Sequence, residues 1–221
     1  MPAHPSFDKK PSLTQMAFYK ENISVDKPRQ LSSSLAVSER RAVLSEPHMV
    51  PLANFVQTLR LTNPGWEFPD FDPLDGGVEA EILFLFEKPG PMTSAKNKGS
   101  GFISRNNDDP TAHATFVFMN EAGLKRKRTL IWNVIPGWNG TRKVTASELR
   151  LGVVQLEALI PLLPNLTTIV LVGSKAKRAM RLLKPMGLCI LTSAHPSPIV
   201  RATRLEEWRA IPTVWAKASS S

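Results

Sequence analysis

Four short segments of the chain are almost wholly apolar: Glu81–Phe86 (EILFLF), Thr129–Val134 (TLIWNV), Thr168–Gly173 (TIVLVG) and Leu188–Thr192 (LCILT). None alternates apolar with polar positions, as a strand with one solvated face must. Continuous runs of this length are how strands buried on both faces of a parallel sheet read. Between them the period changes to that of a helix. Residues 49–61 place Leu52, Phe55, Val56 and Leu59 at i, i+3, i+4 and i+7. Further helices are expected from Asp109 or Pro110 to Gly123, over Ala146–Leu163, over Ser174–Leu183 and over Arg204–Lys217, where Pro212 kinks or divides the last. Strands alternating with helices predict an α/β fold, a three-layer α/β/α arrangement around a central four-stranded parallel sheet. The loop WEFPDFDPLDGG follows the break at Asn63-Pro64-Gly65, and its Trp66, Phe68 and Phe71 read as cover for the core.

Residues 1–45 differ from the rest. They are rich in Pro, Ser and basic residues with little apolar periodicity, so they are expected to form a flexible arm ahead of a folded unit over 46–221. Lys9, Lys10, Lys27, Arg29, Arg40 and Arg41 in this arm are either phosphate contacts or a solvated tail. The net charge of +9 favours a polyanionic partner. No run approaches the roughly 20 apolar residues of a membrane span, and the N-terminus lacks the apolar stretch of a secretory signal. The single cysteine, Cys189, excludes an intrachain disulfide and a cysteine-ligated metal site. Its apolar surroundings predict a buried, inert thiol and a reducing, cytoplasmic setting.

In an open parallel sheet, ligands bind beyond the carboxyl ends of the strands. Those ends carry Glu87-Lys88-Pro89-Gly90-Pro91, then Asn133 with Pro136-Gly137-Trp138-Asn139, then Gly173-Ser174, and last Ser193-Ala194-His195-Pro196-Ser197-Pro198. The prolines around His195 fix their own φ angles and restrict the residues before them, so the imidazole sits on a stiff loop. The backbone N–H of Ser197 is expected to face an anion. An acid, an amide and an imidazole at one rim form a plausible hydrolytic set. No nucleophile elbow, Walker loop or HExxH is present, which removes serine esterases, nucleotide kinases and zincins.

Over residues 68–200 these segments, in this order, resemble the uracil-DNA glycosylase superfamily. Glu87-Lys88-Pro89-Gly90-Pro91 is similar to its first motif. Gly99-Ser100-Gly101-Phe102, running into Asn107-Asp108-Asp109-Pro110-Thr111, is similar to a segment of bacterial members. Ile131-Trp132-Asn133-Val134-Ile135-Pro136 resembles the strand that supplies the base-reading Asn, and His195-Pro196-Ser197-Pro198 resembles the second catalytic motif.

The resemblance implies a monofunctional glycosylase that rotates uracil, or a related deaminated base, out of DNA and hydrolyses its N-glycosidic bond. Phe102 would stack on the base, with Pro89 and Gly90 beside it. Asn133 would read its amide edge. His195 would donate a hydrogen bond to the uracil O2 as charge develops there. Glu87 would position water or stabilise the cationic sugar, with Asp108 or Asp109 as the alternative carboxylate. Ser197 would clamp a flanking phosphate and Ile199 would press into the gap in the duplex. Lys175, Arg178 and Arg201 would add contacts to DNA, as would the dense basic run Lys125-Arg126-Lys127-Arg128 unless it is a solvated turn. No cofactor, metal or membrane is implied; the expected partner is uracil-containing DNA, single- or double-stranded, bound by a monomer.

Two positions depart from the family pattern. Phe86 stands where a small Gly is common. Lys88 stands where many members carry Asp or Asn, and an ammonium near the scissile sugar opposes a cationic transition state, so Lys88 must point away. The rival readings are the same fold disarmed at Lys88, binding DNA or a nucleotide without cleaving it, and a hydrolase of free nucleosides or nucleotides.

Overall fold

The computed structural model describes residues 26–94 and 99–219. Six strands lie among them: β1 (Asp70–Phe71), β2 (Ile82–Phe86), β3 (Phe102–Ile103), β4 (Thr129–Asn133), β5 (Thr168–Val172) and β6 (Cys189–Ser193). The four apolar runs form one parallel sheet in the order β4-β2-β5-β6. β1 and β3 form a separate two-stranded parallel sheet that no periodicity announced, since two residues are too few to carry a period. In the main sheet Phe84 pairs with Ile131 on one side and Val170 on the other.

The helices are α1 (Ser34–Ala42), α2 (Val50–Thr62), α3 (Pro110–Glu121), α4 (Ala146–Leu159), α5 (Ser174–Lys177), α6 (Met180–Leu183), α7 (Pro198–Thr203), α8 (Leu205–Arg209) and α9 (Ile211–Ala216). They complete the three-layer α/β/α architecture expected. On one face Trp215 of α9 meets Phe84 of the sheet and Phe118 of α3 edge-on, at ring-centroid distances of 5.0 and 6.2 Å. Elsewhere Phe71 stacks on Trp132 of β4, and with Phe68 it is buried, as core cover should be.

Several boundaries differ from the periodic reading, each for a local reason. α4 stops at Leu159 and tightens into a 3-10 turn, because Pro161 has no N–H to continue the ladder. The segment 174–183 is two short helices, and 204–217 breaks at Ala210 so that Pro212 falls in the first turn of α9, where a missing N–H costs nothing. β6 lies at one edge of the sheet and, unlike β4 at the other, is left open to solvent at its start, so Cys189 is exposed. The expectation of a buried thiol is corrected: an apolar run does not reveal which strand is left outermost.

The flexible-arm expectation for residues 1–45 is corrected from Asp26 onward, while Lys9 and Lys10 lie outside the described residues. Ser33 caps α1 by accepting from the Ala36 N–H, and Leu31 and Ala36 are buried. Arg40, 4% exposed, donates to both oxygens of Asp72 at 2.5 Å. Arg126 joins the same cluster through Asp26, Asp72 and Asp75, at 2.5, 2.6 and 2.9 Å. Burial alone raises the Asp72 carboxyl, but Arg126 and Arg40 together hold it far below the usual carboxylate range. The basic run 125–128 is therefore partly engaged within the protein, while Lys125 and Lys127 remain exposed. Arg126 is an internal counter-ion, Arg128 pairs with Glu81 at 2.6 Å, and Lys127 donates to the Asp75 carbonyl at 3.1 Å.

Candidate active site

Because all four strands of the main sheet point the same way, their carboxyl ends share one rim. Register places Phe86 beside Asn133 and Val172 beside Ser193. The chain then turns inward from β2 and β6, and a pocket of about 430 Å³ opens between the loops. Pro89, Gly90, Asn133 and His195 all line it, together with Phe86, Arg105, Asn107 and Asp109. Residues far apart in sequence, 89–90, 133 and 195, thus border one hollow.

Asn133 is only 4% exposed, and its side-chain oxygen has no hydrogen-bond partner. Leaving a buried amide oxygen unpaired costs about 1–3 kcal/mol, so such a group calls for a ligand or a strain to explain it.

His195 is half-buried and packs edge-on against Phe86 at 5.5 Å. Neither of its ring nitrogens bonds a described residue. Burial, helped by the charge of Lys175, pulls its pKa from 6.5 to about 4, so the imidazole is neutral at neutral pH. The loop that holds it is anchored from behind, where Trp215 donates to the Ser193 hydroxyl at 2.8 Å. Gly173 makes room for it. At φ 91° and ψ 163° the backbone occupies a region open to glycine, and a Cβ there would stand 3.1–3.2 Å from the His195 side chain.

Lys88 has partners of its own. Its ammonium donates to Asn139 Oδ1 (2.6 Å), Glu148 Oε1 (2.9 Å) and the Lys143 carbonyl (3.2 Å), and lies 5.2 Å from the Trp66 ring centre. Only 2% of the side chain is exposed. Lys88 borders the pocket, and its ammonium is held by the N-terminus of α4. There Glu148 both receives Lys88 and closes a capping box with Thr145.

Three expectations fail on geometry. Phe102 is fully buried against Leu31 and Ala36, with the Arg41 guanidinium 5.9 Å from its ring centre, and it does not line the pocket. Its Gly-Ser-Gly setting suggested a displayed ring because the covering residues come from α1, some 60 residues earlier. The Ser197 N–H is not free for an anion; it donates to the His195 carbonyl at 2.8 Å, while the Ser197 hydroxyl accepts from Val200 and caps α7. Glu87 lies outside the pocket lining, its carboxylate taking the Lys175 ammonium at 2.5 Å.

Asp109 is the carboxylate that does line the pocket. One of its oxygens caps α3 by accepting from Thr111 and Ala112, both at 2.9 Å. Burial raises its pKa despite those bonds. On the outer face, Ile199 is 74% exposed, and Lys175, Arg178 and Arg201 are exposed near the same rim loops. The sequence pointed to neither Arg105 nor Arg142, and Asn107 stood in a recognised segment without a role of its own. Arg105 donates to Thr129 of β4 and Asn107 to the Phe102 carbonyl of β3, and Arg142 sits beside Gly90 at the pocket mouth. Among the described residues, no group of His, Cys, Asp and Glu could hold a metal ion, and no helix is long and apolar enough to cross a membrane.

No curated protein matches the chain. Among solved structures, a candidate uracil DNA glycosylase from Methanosarcina acetivorans is 18% identical, covering 64% of this chain and 92% of that one with a TM-score of 0.46. Mimivirus UNG in complex with UGI is 14% identical, covering 87% of this chain and 79% of that one with a TM-score of 0.39. The model of the uracil DNA glycosylase superfamily matches residues 74–218, from the loop before the first long strand to the end of the last helix. The chain belongs to the uracil DNA glycosylase superfamily.

Proposed function

We propose that the protein excises uracil, or a related deaminated base, from DNA by hydrolysis of the N-glycosidic bond, leaving an abasic site. The observation that carries this reading is the unpaired, buried amide oxygen of Asn133 in the same pocket as a neutral, unbonded His195. A flipped uracil offers N3–H and O4 to the Asn133 amide, satisfying the orphaned acceptor. His195 donates to O2, where negative charge grows as the C–N bond stretches. A neutral donor serves there without titrating at physiological pH. Pro89, Gly90 and the edge of Phe86 form the apolar wall, the part first expected of Phe102. Asp109 replaces Glu87 as the carboxylate that orients water, since Glu87 is engaged by Lys175. Ile199, Lys175, Arg178 and Arg201 form the face towards the DNA strand.

The test is an oligonucleotide with one uracil, incubated with the protein and then heated in alkali. Strand scission that disappears in His195→Ala and Asn133→Ala supports excision. A second reading, a DNA-binding module without cleavage, draws on the engagement of Glu87 by Lys175. Tight binding without scission, even in single-stranded substrate, is its signature and would sink the first.

A further inference from the structure

Among the described residues, Lys88, Arg105 and Arg142 are the cationic side chains that line the pocket. The first two are buried and engaged. Lys88 gives its ammonium to Asn139, Glu148 and the Lys143 carbonyl, and Arg105 is held by Thr129 and Asp75 at the start of β4. Arg142 is exposed, and no described residue pairs with it. Its guanidinium rests against the Pro89-Gly90-Pro91 turn, where a Cβ on Gly90 would stand 3.7 and 3.9 Å from Nη2 and Nη1. The segment that carries it is pinned on both sides. Lys88 donates to Asn139 Oδ1 at 2.6 Å and to the Lys143 carbonyl at 3.2 Å, and Asn139 Nδ2 donates to Glu148 at 2.8 Å. Between them the Thr141 hydroxyl accepts from the Lys143 N–H at 3.1 Å. The ammonium that departs from the family pattern thus fixes the backbone before and after Arg142. Topology sets this residue opposite the rest of the basic rim. Arg142 follows β4, at one end of the order β4-β2-β5-β6, whereas Lys175, Arg178 and Arg201 follow β5 and β6 at the other.

We propose that Arg142 binds one of the two phosphodiesters that flank the flipped nucleotide, and that Lys88 is the residue that positions it. This rests on the glycosylase reading above. With the base in the pocket, its sugar stands at the mouth, and the phosphates on either side of that sugar lie just outside, where Arg142 is. A guanidinium offers parallel N–H groups to two phosphate oxygens, a match that an ammonium cannot make. Such a contact carries no base information; it supplies affinity and fixes the register of the strand over the pocket. It also takes up the anion expected at Ser197, whose N–H is spent on the His195 carbonyl. A strand crossing the rim then meets Lys175, Arg178 and Arg201 on one side of the pocket and Arg142 on the other.

Fluorescence-anisotropy titrations test this with single-stranded oligonucleotides whose one uracil nucleotide carries fluorine at C2′, which destabilises the sugar cation and blocks excision. One strand has every phosphate intact, and two others carry a neutral methylphosphonate on the 5′ or the 3′ side of that nucleotide. Arg142→Gln, at an exposed position, should bind the intact strand about tenfold more weakly. Its plot of log affinity against log salt should be shallower by about 0.7, with Arg142→Lys in between. One of the methylphosphonates should weaken wild type by the same factor and leave Arg142→Gln unaffected. Losses that add, or a wild type indifferent to both methylphosphonates, overturn the contact. The double variant Lys88→Met/Glu148→Gln should weaken binding by itself and add nothing to Arg142→Gln. An equal loss in both backgrounds overturns the positioning by Lys88. Scission of the unfluorinated strand is followed in parallel. A wild type that binds and never cuts overturns the glycosylase reading, while the binding shifts still decide the role of Arg142.

Discussion

Glu148→Gln isolates the ion pair that holds the Lys88 ammonium at the start of α4. Gln at this position still closes a capping box with Thr145, so α4 retains its start. What is lost is the negative charge opposite an ammonium that is 2% exposed. Removing one partner of a buried pair costs about 3–5 kcal/mol. Here the Glu148 side chain keeps 12% exposure, and the Asn139 oxygen and the Lys143 carbonyl still accept from Lys88. The expected loss is therefore nearer to ~2 kcal/mol at pH 7.

The pH dependence has a definite sign. Burial by itself raises the Glu148 carboxyl, but hydrogen bonds from Thr145 and Lys88 outweigh it and hold the pKa down to about 2, from 4.5. A depressed carboxylate contributes fully above its unfolded pKa, and that contribution vanishes as pH falls through the folded value. The stability gap between wild type and Glu148→Gln must then be widest above pH 5 and close towards pH 2. Urea unfolding at pH 7, 4 and 2.5 measures it. Adding Lys88→Met to the variant should restore stability, since removing both charges leaves nothing uncompensated. A gap below about 0.5 kcal/mol at pH 7, the worth of an exposed pair, or one that does not change with pH, refutes the argument. So does a double variant no more stable than the single one.

Two further outcomes follow from the site. His195, its pKa lowered by burial and Lys175, must titrate by NMR with a midpoint near 4, and excision should be level from pH 8 to 5 and decline towards 4. Its neutral form is the folded one, so stability is also lost as pH drops from 6.5 to 4; a midpoint near 6.5 contradicts this placement. Phe102→Leu should cost about 1 kcal/mol in unfolding experiments and leave the KM for uracil-containing DNA within roughly twofold. A ring stacked on the base would instead contribute about 1–3 kcal/mol to binding, so a tenfold rise in KM would return Phe102 to the pocket.

The sheet and much of the pocket were legible along the chain, because their signals are local. A strand buried on both faces needs an unbroken apolar run, and parallel strands send their polar ends to one rim. Asn133, His195, Pro89 and Gly90 were therefore found where the runs stop. What the tertiary structure decided concerns neighbours distant in sequence. The cover over Phe102 comes from α1, the acceptor for Lys88 from α4, the partner of Glu87 from α5, and the anions around Arg126 from residues 26, 72 and 75. An isolated charge or ring in a sequence has no assigned partner, and burial reverses its meaning: Arg126 of a basic run becomes an internal counter-ion, and an apparently displayed ring becomes core. The amino-acid order determined which groups reach the rim of the sheet. Only packing determined which of them remain unpaired there, and the chemistry of the pocket depends on those.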